Sequence, residues 1–173
     1  MKQLSWDQYF MNLVYLIAMR SEDPMTKIGA VIVASDKSII STGYNGFPRG
    51  VKTTEERLQR PLKYSFVVHA EANALHLAGR DCTGAKMYTQ GLPCTECAKA
   101  IIQRGISKII IDKDYSITNS PKWEEEAKIS QIMFDEALIP IQSIKVEIVD
   151  ILGYCDGKVI KGPSWYFAKK ESK

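Results

Sequence analysis

Leu92–Ile102 reads LPCTECAKAII. A proline precedes two cysteines at C-x-x-C spacing, and an apolar run with helical periodicity follows them. The thiols therefore sit at the start of a helix, just behind a turn. Such a pair serves as a disulfide, a redox couple, a metal clamp or plain packing. The rest of the chain has to choose among these.

The bulk composition removes some choices. The chain has 173 residues, 45% apolar and 25% charged, which suits one soluble globular domain spanning 1–173. A net charge of +3 tolerates a small anionic substrate but lacks the density of a dedicated nucleic-acid binder. Asp7, Gln8 and Asn12 interrupt the apolar N-terminal stretch, and no small-residue cleavage site follows, so no signal peptide is expected. No apolar run has the length of a membrane span, and a cytoplasmic location is expected. The four cysteines are Cys82, Cys94, Cys97 and Cys155, and a reducing cytosol argues against disulfides among them. The two histidines are His69 and His76, so any histidine chemistry must use one of these.

Outward from the cysteines, an α/β alternation emerges. Ser5 caps a helix running to about Arg20, with Trp6, Phe10, Leu13, Val14 and Ile17 as its buried stripe. IGAVIVAS and SIISTGYNG read as two strands joined by a turn at Asp36 and Lys37. FPRGVKTTEERLQRPLK reads as a surface loop, and VVHAEANALHLAG as a helix. AKMYTQ is a strand, CTECAKAIIQRG a helix and SKIIIDKD a strand. Ser120 and Pro121 start another helix, IKVEIVDI is a last strand, and GPSWYFAKKESK is a short helix or tail. The order α-β-β-α-β-α-β-α-β predicts one sheet covered on both faces, of mixed direction because its first two strands form a hairpin.

His69 and Glu71 begin one helix, and Cys94 and Cys97 begin another. Both starts follow extended segments, so both can lie along one edge of the sheet. Zinc takes thiolate and imidazole in tetrahedral geometry, and a helix N-terminus favours thiolates. Three protein ligands leave one position for water, as in catalytic rather than structural sites, and the metal lowers that water's pKa to about 7. With His69 half outside its helix, Glu71 can face the same pocket and carry the water's proton. A structural zinc site wants a fourth Cys or His, yet neither Cys82 nor Cys155 has a partner at ligand spacing. HAE followed by PCTEC matches the H-x-E…P-C-x-x-C pattern of zinc-dependent deaminases.

With these residues in place the chain resembles the cytidine deaminase superfamily, and within it the deoxycytidylate (dCMP) deaminase family. RSEDPMTKIGAVIV, STGYNGFPRG, VHAEANAL and LPCTECAKAIIQRGISKIII carry the resemblance, which extends over nearly the whole chain. Free-nucleoside cytidine deaminases use cysteine where His69 stands. The resemblance implies a three-layer α/β/α sandwich around a five-stranded mixed sheet. It implies hydrolysis of dCMP to dUMP and ammonia for thymidylate supply, with zinc held by His69, Cys94 and Cys97 and protons moved by Glu71. It further implies that Asn45 holds the sugar hydroxyl, although beside Gly46 it also reads as a turn residue. The Ala70 backbone would meet the base carbonyl, and Tyr115 would cover base or sugar. Arg20, Ser21, Thr26, Lys27 and Lys113 are candidates for the 5′-phosphate.

Many members of that family are homohexamers activated by dCTP with magnesium and inhibited by dTTP. Tyr44, Gly46 and Arg49 in GYNGFPRG resemble part of the regulatory site. Residues 51–63 contain no Cys or His, so one zinc per chain is expected, without the second zinc of some relatives. Three rivals remain. A tRNA or single-stranded DNA deaminase would show a basic stripe with stacking aromatics, and here the cations are scattered and offset by Glu124, Glu125 and Glu126. A non-catalytic zinc module would have no use for Glu71. Action on dCTP instead of, or beside, dCMP depends on a loop cation more or less.

Overall fold

A computed structural model describes residues 3–115, 121–150, 152–155 and 158–161, with side chains for 3–115 and 124–150. Helix α1 (Trp6–Ala18) begins where expected, with the Ser5 side chain accepting from the Gln8 N–H at 3.2 Å. Its buried stripe differs from the expected one. Phe10, Met11, Val14 and Ala18 are buried, Leu13 and Ile17 are half-buried, and Trp6 is 54% exposed, stacked on Phe10. The cause is a close approach of backbones. A Cβ on Gly29 would stand 2.2 Å from the Val14 carbonyl oxygen and 3.0 Å from the Ala18 nitrogen. The helix therefore rolls onto its small residues, which a count of large apolar side chains does not register.

Strands β1 (Gly29–Val33) and β2 (Ile39–Tyr44) form the expected hairpin. Asp36 accepts from the Ser38 N–H and hydroxyl in the turn, and Lys37 takes a positive φ of 72°. There follow α2 (Lys63–Phe66), α3 (Ala70–Leu77), β3 (Lys86–Thr89), α4 (Thr95–Gln103), β4 (Lys108–Asp112), α5 (Pro121–Glu136) and β5 (Ile141–Ile144). The five strands form one sheet in the order β2-β1-β3-β4-β5. β1 runs antiparallel to both neighbours, while β3, β4 and β5 are parallel. Strand alternation divides the core in two. Val31, Val33, Tyr88 and Ile110 face α1. Ala30, Ile32, Met87 and Ile109 face α3, α4 and Phe134 of α5. The architecture is the expected three-layer α/β/α sandwich with a mixed sheet. No helix among the described residues is long and apolar enough to cross a membrane.

The last sheet strand lies earlier than IKVEIVDI. β5 ends at Ile144, and residues 145–149 run along α1 instead. Gln8 donates to the Lys145 carbonyl at 2.6 Å and accepts from the Glu147 N–H at 3.0 Å. Asn12 donates to the Glu147 carbonyl and accepts from the Val149 N–H, both at 2.9 Å. Two side-chain amides thus serve an extended segment as a neighbouring strand would. A further hairpin, β6 (Leu152–Cys155) with antiparallel β7 (Lys158–Lys161), was not anticipated. Ser120 and the GPSWYFAKKESK tail lie outside the described residues.

Gly43 on β2 sets the position of α3. A Cβ there would lie 2.3 Å from the Ala70 carbonyl oxygen and 2.4 Å from the Ala74 nitrogen, both backbone atoms that cannot rotate away. Gly43→Ala is expected to destabilise the protein by about 1–3 kcal/mol, the usual cost of overpacking. For a chain of this size that lowers Tm by about 2–12 °C in a thermal melt. An unchanged Tm would show that α3 does not depend on this contact.

Candidate active site

His69 is the N-cap of α3, with extended φ and ψ of −69° and 156°. Cys94 is the N-cap of α4, with −66° and 170°. Both therefore precede the first helical turn, where backbone N–H groups lack intrahelical partners and the potential is positive. The rigid β3 strand delivers Pro93 and Cys94, and one turn of α4 brings Cys97 round to the same side. His69 Nδ1 lies 3.2 Å from Cys94 Sγ and 3.6 Å from Cys97 Sγ. The three ligand atoms fall within 4.8 Å of one another. Tetrahedral zinc, with bonds of about 2.0 Å to nitrogen and about 2.3 Å to sulfur, places such atoms about 3.6 Å apart. The donor set and its spacing fit that ion.

The protons of the site show what a metal must displace. The hydrogen bond from Cys97, then that of His69, holds the Cys94 thiol well below its ordinary range, while the same bond to Cys94 and burial push Cys97 up. His69 is raised to about 8, chiefly by its hydrogen bond with Cys94 and against the effect of burial. A metal needs both thiolates and a neutral imidazole, so binding releases these protons.

Glu71 is buried in the first turn of α3, with Oε2 3.9 Å from Cys97 Sγ. Burial raises its carboxyl above the usual carboxylate range, with the His69 charge opposing. Thr89 on β3 donates to Oε1 at 3.4 Å and to the Gly29 carbonyl oxygen at 3.1 Å. A buried carboxyl raised above its ordinary range, beside a metal ligand set, is equipped to move protons.

A cavity opens onto His69, Ala70, Glu71 and Cys94. Thr26 and Asn45 line it. Asn45 is also committed to the loop around it. It accepts from the Ile28 N–H at 2.8 Å and donates to the Thr26 carbonyl at 2.9 Å. Lys27, also expected here, is exposed, bonds to the Ser21 carbonyl and does not line the cavity. Tyr115 is half-buried beyond β4 and does not line the cavity either. Burial and then the charge of Glu71 raise its hydroxyl, so it lies within electrostatic reach of the site. Tyr44, Gly46 and Arg49 line a second cavity with Glu22, Phe47 and Thr53. The two cavities share Asp23 and Val67.

Residues 4–113, which include His69, Glu71, Cys94 and Cys97, match the model of the cytidine and deoxycytidylate deaminase zinc-binding region. The chain belongs to this deaminase family. The human deoxycytidylate deaminase is 38% identical over 143 residues, covering 78% of this chain and 76% of that protein. An uncharacterised deaminase in the luxG 3′ region of Aliivibrio fischeri is 35% identical over 144 residues, covering 83% and 97%. In fold, the chain is similar to the dCMP deaminase of cyanophage S-TIM5 crystallised with dCMP and dUMP. The TM-score is 0.64 at 24% identity, covering 83% of this chain and 100% of that one.

Sequence reasoning missed part of the deaminase's cavity. Asp23, Arg60, Lys63 and Tyr64 line it, and Thr89 stands behind Glu71. Asp23 had a signal in its Asp-Pro pair. Its Oδ1 accepts from the Met25 and Thr26 N–H groups at 2.9 and 3.2 Å, a turn that such a dipeptide favours. Burial raises the Asp23 carboxyl, but the Lys63 ammonium and these two N–H groups outweigh it and hold it below its ordinary range. Lys63 had no signal. It ends a polar stretch that reads as solvated, yet it is buried against Asp23 at 2.8 Å.

Proposed function

We propose that this deaminase hydrolyses dCMP to dUMP and ammonia. The observation that carries the reading is the convergence of His69, Cys94 and Cys97 within 4.8 Å, with the Glu71 carboxyl beside them at the cavity wall. Human deoxycytidylate deaminase, at 38% identity, supports the choice of nucleotide. His69, Cys94 and Cys97 would hold zinc, which when bound activates water for addition to C4 of cytosine.

Glu71 takes a proton from the water and gives it to N3 as the C4–O bond forms. It then takes the remaining hydroxyl proton and delivers it to the 4-amino group. The C4–N bond breaks, ammonia leaves and the carbonyl of dUMP remains. Burial of Glu71 serves both proton transfers, because it raises the carboxyl above the usual carboxylate range and so favours its return of a proton. Asn45 offers its Oδ1 to a sugar hydroxyl, the Ala70 backbone meets the base and Thr26 faces the nucleotide. A parallel assay with cytidine, dCMP and dCTP is expected to give the highest kcat/KM for dCMP. Equal or better turnover of either alternative would overturn the substrate assignment.

The regulatory reading extends this proposal. The second cavity, with Tyr44, Gly46 and Arg49, takes dCTP with Mg2+ as activator and dTTP as inhibitor. Its shared wall at Asp23 and Val67 supports communication with the first cavity. The working enzyme is a cytoplasmic homohexamer in this reading. With dCMP near its KM, dTTP is expected to lower the rate at least several-fold and dCTP to restore it. A rate indifferent to both nucleotides would remove the effector assignment and leave the catalytic one standing.

A further inference from the structure

The cations on the catalytic cavity are not those to which the sequence pointed. Arg20 stands over the Tyr44 ring at 5.9 Å, Lys27 is bonded to the Ser21 carbonyl, and Lys113 is exposed beyond β4. None of the three lines the cavity. Apart from His69, the cationic side chains that line it among the described residues are Arg60 and Lys63.

Lys63 is only 3% exposed, unusual for a lysine that is not committed to a function or a partner. Asp23 is its partner, at 2.8 Å. Asp23 also accepts from two backbone N–H groups, with Asn45 Nδ2 at 3.4 Å, so its carboxylate is well supplied with donors. An ammonium carries three donors, and among the described residues Asp23 is the hydrogen-bond acceptor that Lys63 meets. The Tyr64 ring lies 5.9 Å from the Lys63 ammonium and 5.9 Å from the Arg60 guanidinium. One aromatic ring on the cavity wall therefore lies beside both cations, and the Asp23 carboxylate pairs with Lys63. With Asp23 paired to Lys63, Arg60 adds a positive charge at this part of the wall, which suits an anionic group on the substrate. Arg60 presents a planar fork for phosphate oxygens, and Lys63 a point charge fixed by Asp23.

We infer that Arg60 and Lys63 hold the substrate's 5′-phosphate and so set the enzyme's preference for a nucleotide over a nucleoside. The inference rests on the proposed dCMP reading. Asp23 is a positioning residue that orients Lys63 before substrate arrives. The test compares kcat/KM for dCMP and for deoxycytidine in the full-length enzyme and in Arg60→Gln, Lys63→Gln and Lys63→Arg. The wild type is expected to prefer dCMP. Arg60→Gln is expected to shrink the dCMP-to-deoxycytidine ratio about 10- to 100-fold, mostly through KM for dCMP, as loss of a charge-assisted hydrogen bond implies. Lys63→Gln is expected to shrink it comparably, and Lys63→Arg to keep most of it. Arg60 is exposed, so Arg60→Gln decides the matter even if Lys63→Gln does not fold. A wild-type ratio retained in Arg60→Gln would overturn the inference alone, whereas a wild type indifferent to the phosphate would sink the dCMP reading with it. A wild type that deaminates neither compound would sink the substrate reading and this inference with it.

Discussion

Glu71→Gln is expected to keep its zinc and its fold while kcat falls by about 10²–10⁴-fold, the range for loss of a general acid–base group. Glutamine matches glutamate in size, and its carbonyl can still accept from Thr89, so the contacts around the first turn of α3 survive. The change removes a carboxyl whose burial works against ionisation, so no loss of Tm is expected. What disappears is the capacity to take a proton from water and return it, first to the ring and then to the amine. The substituted side chain does not touch the metal ligands covalently, so zinc per chain by elemental analysis remains at one. Turnover within about tenfold of wild type would take Glu71 out of proton transfer. A protein that loses zinc as well would show that the carboxyl holds the site together.

The sequence made the site more legible than its surroundings, for a physical reason. Metal ligands and an adjacent proton carrier need particular side chains at particular spacings. Helices beginning near His69 and Cys94 are legible from local cues, although VVHAEANALHLAG reads as helical from Val67 and α3 begins at Ala70. His69 at an N-cap, and therefore turned toward the same pocket as Glu71, follows from those cues too. Contacts made over long sequence distances do not. Lys63 meets Asp23 from 40 residues away, and Gln8 and Asn12 satisfy residues 145–149 from the other end of the chain. The alternation in IKVEIV is that of an extended segment, but nothing in it says whether a strand or a helix's side chains will pair with it. The roll of α1 depends on a missing Cβ at Gly29, a feature of volume rather than hydropathy. Lys27 bonds to a local carbonyl and lies off the cavity, whereas Arg60 and Lys63, which line it, come from a stretch that reads as solvent-facing.

Cys97→Ala is expected to abolish metal binding and, with it, essentially all deamination. Cys97 is buried one turn into α4, where alanine is the best helix former, so the helix itself should persist. Packing loss from one sulfur is small beside the loss of a ligand, because His69 and Cys94 alone make too few bonds for tight tetrahedral zinc. Zinc present at about a thousand times its Kd stabilises a folded protein by about 4 kcal/mol, so its loss lowers Tm as well. The controls separate metal from packing. Chelator should bring the wild-type Tm down close to that of Cys97→Ala, and the variant's own Tm should not respond to chelator. Restored zinc should recover the wild type and leave the variant inactive. Stoichiometric zinc in Cys97→Ala, with a Tm still sensitive to chelator, would place the metal somewhere other than the starts of α3 and α4.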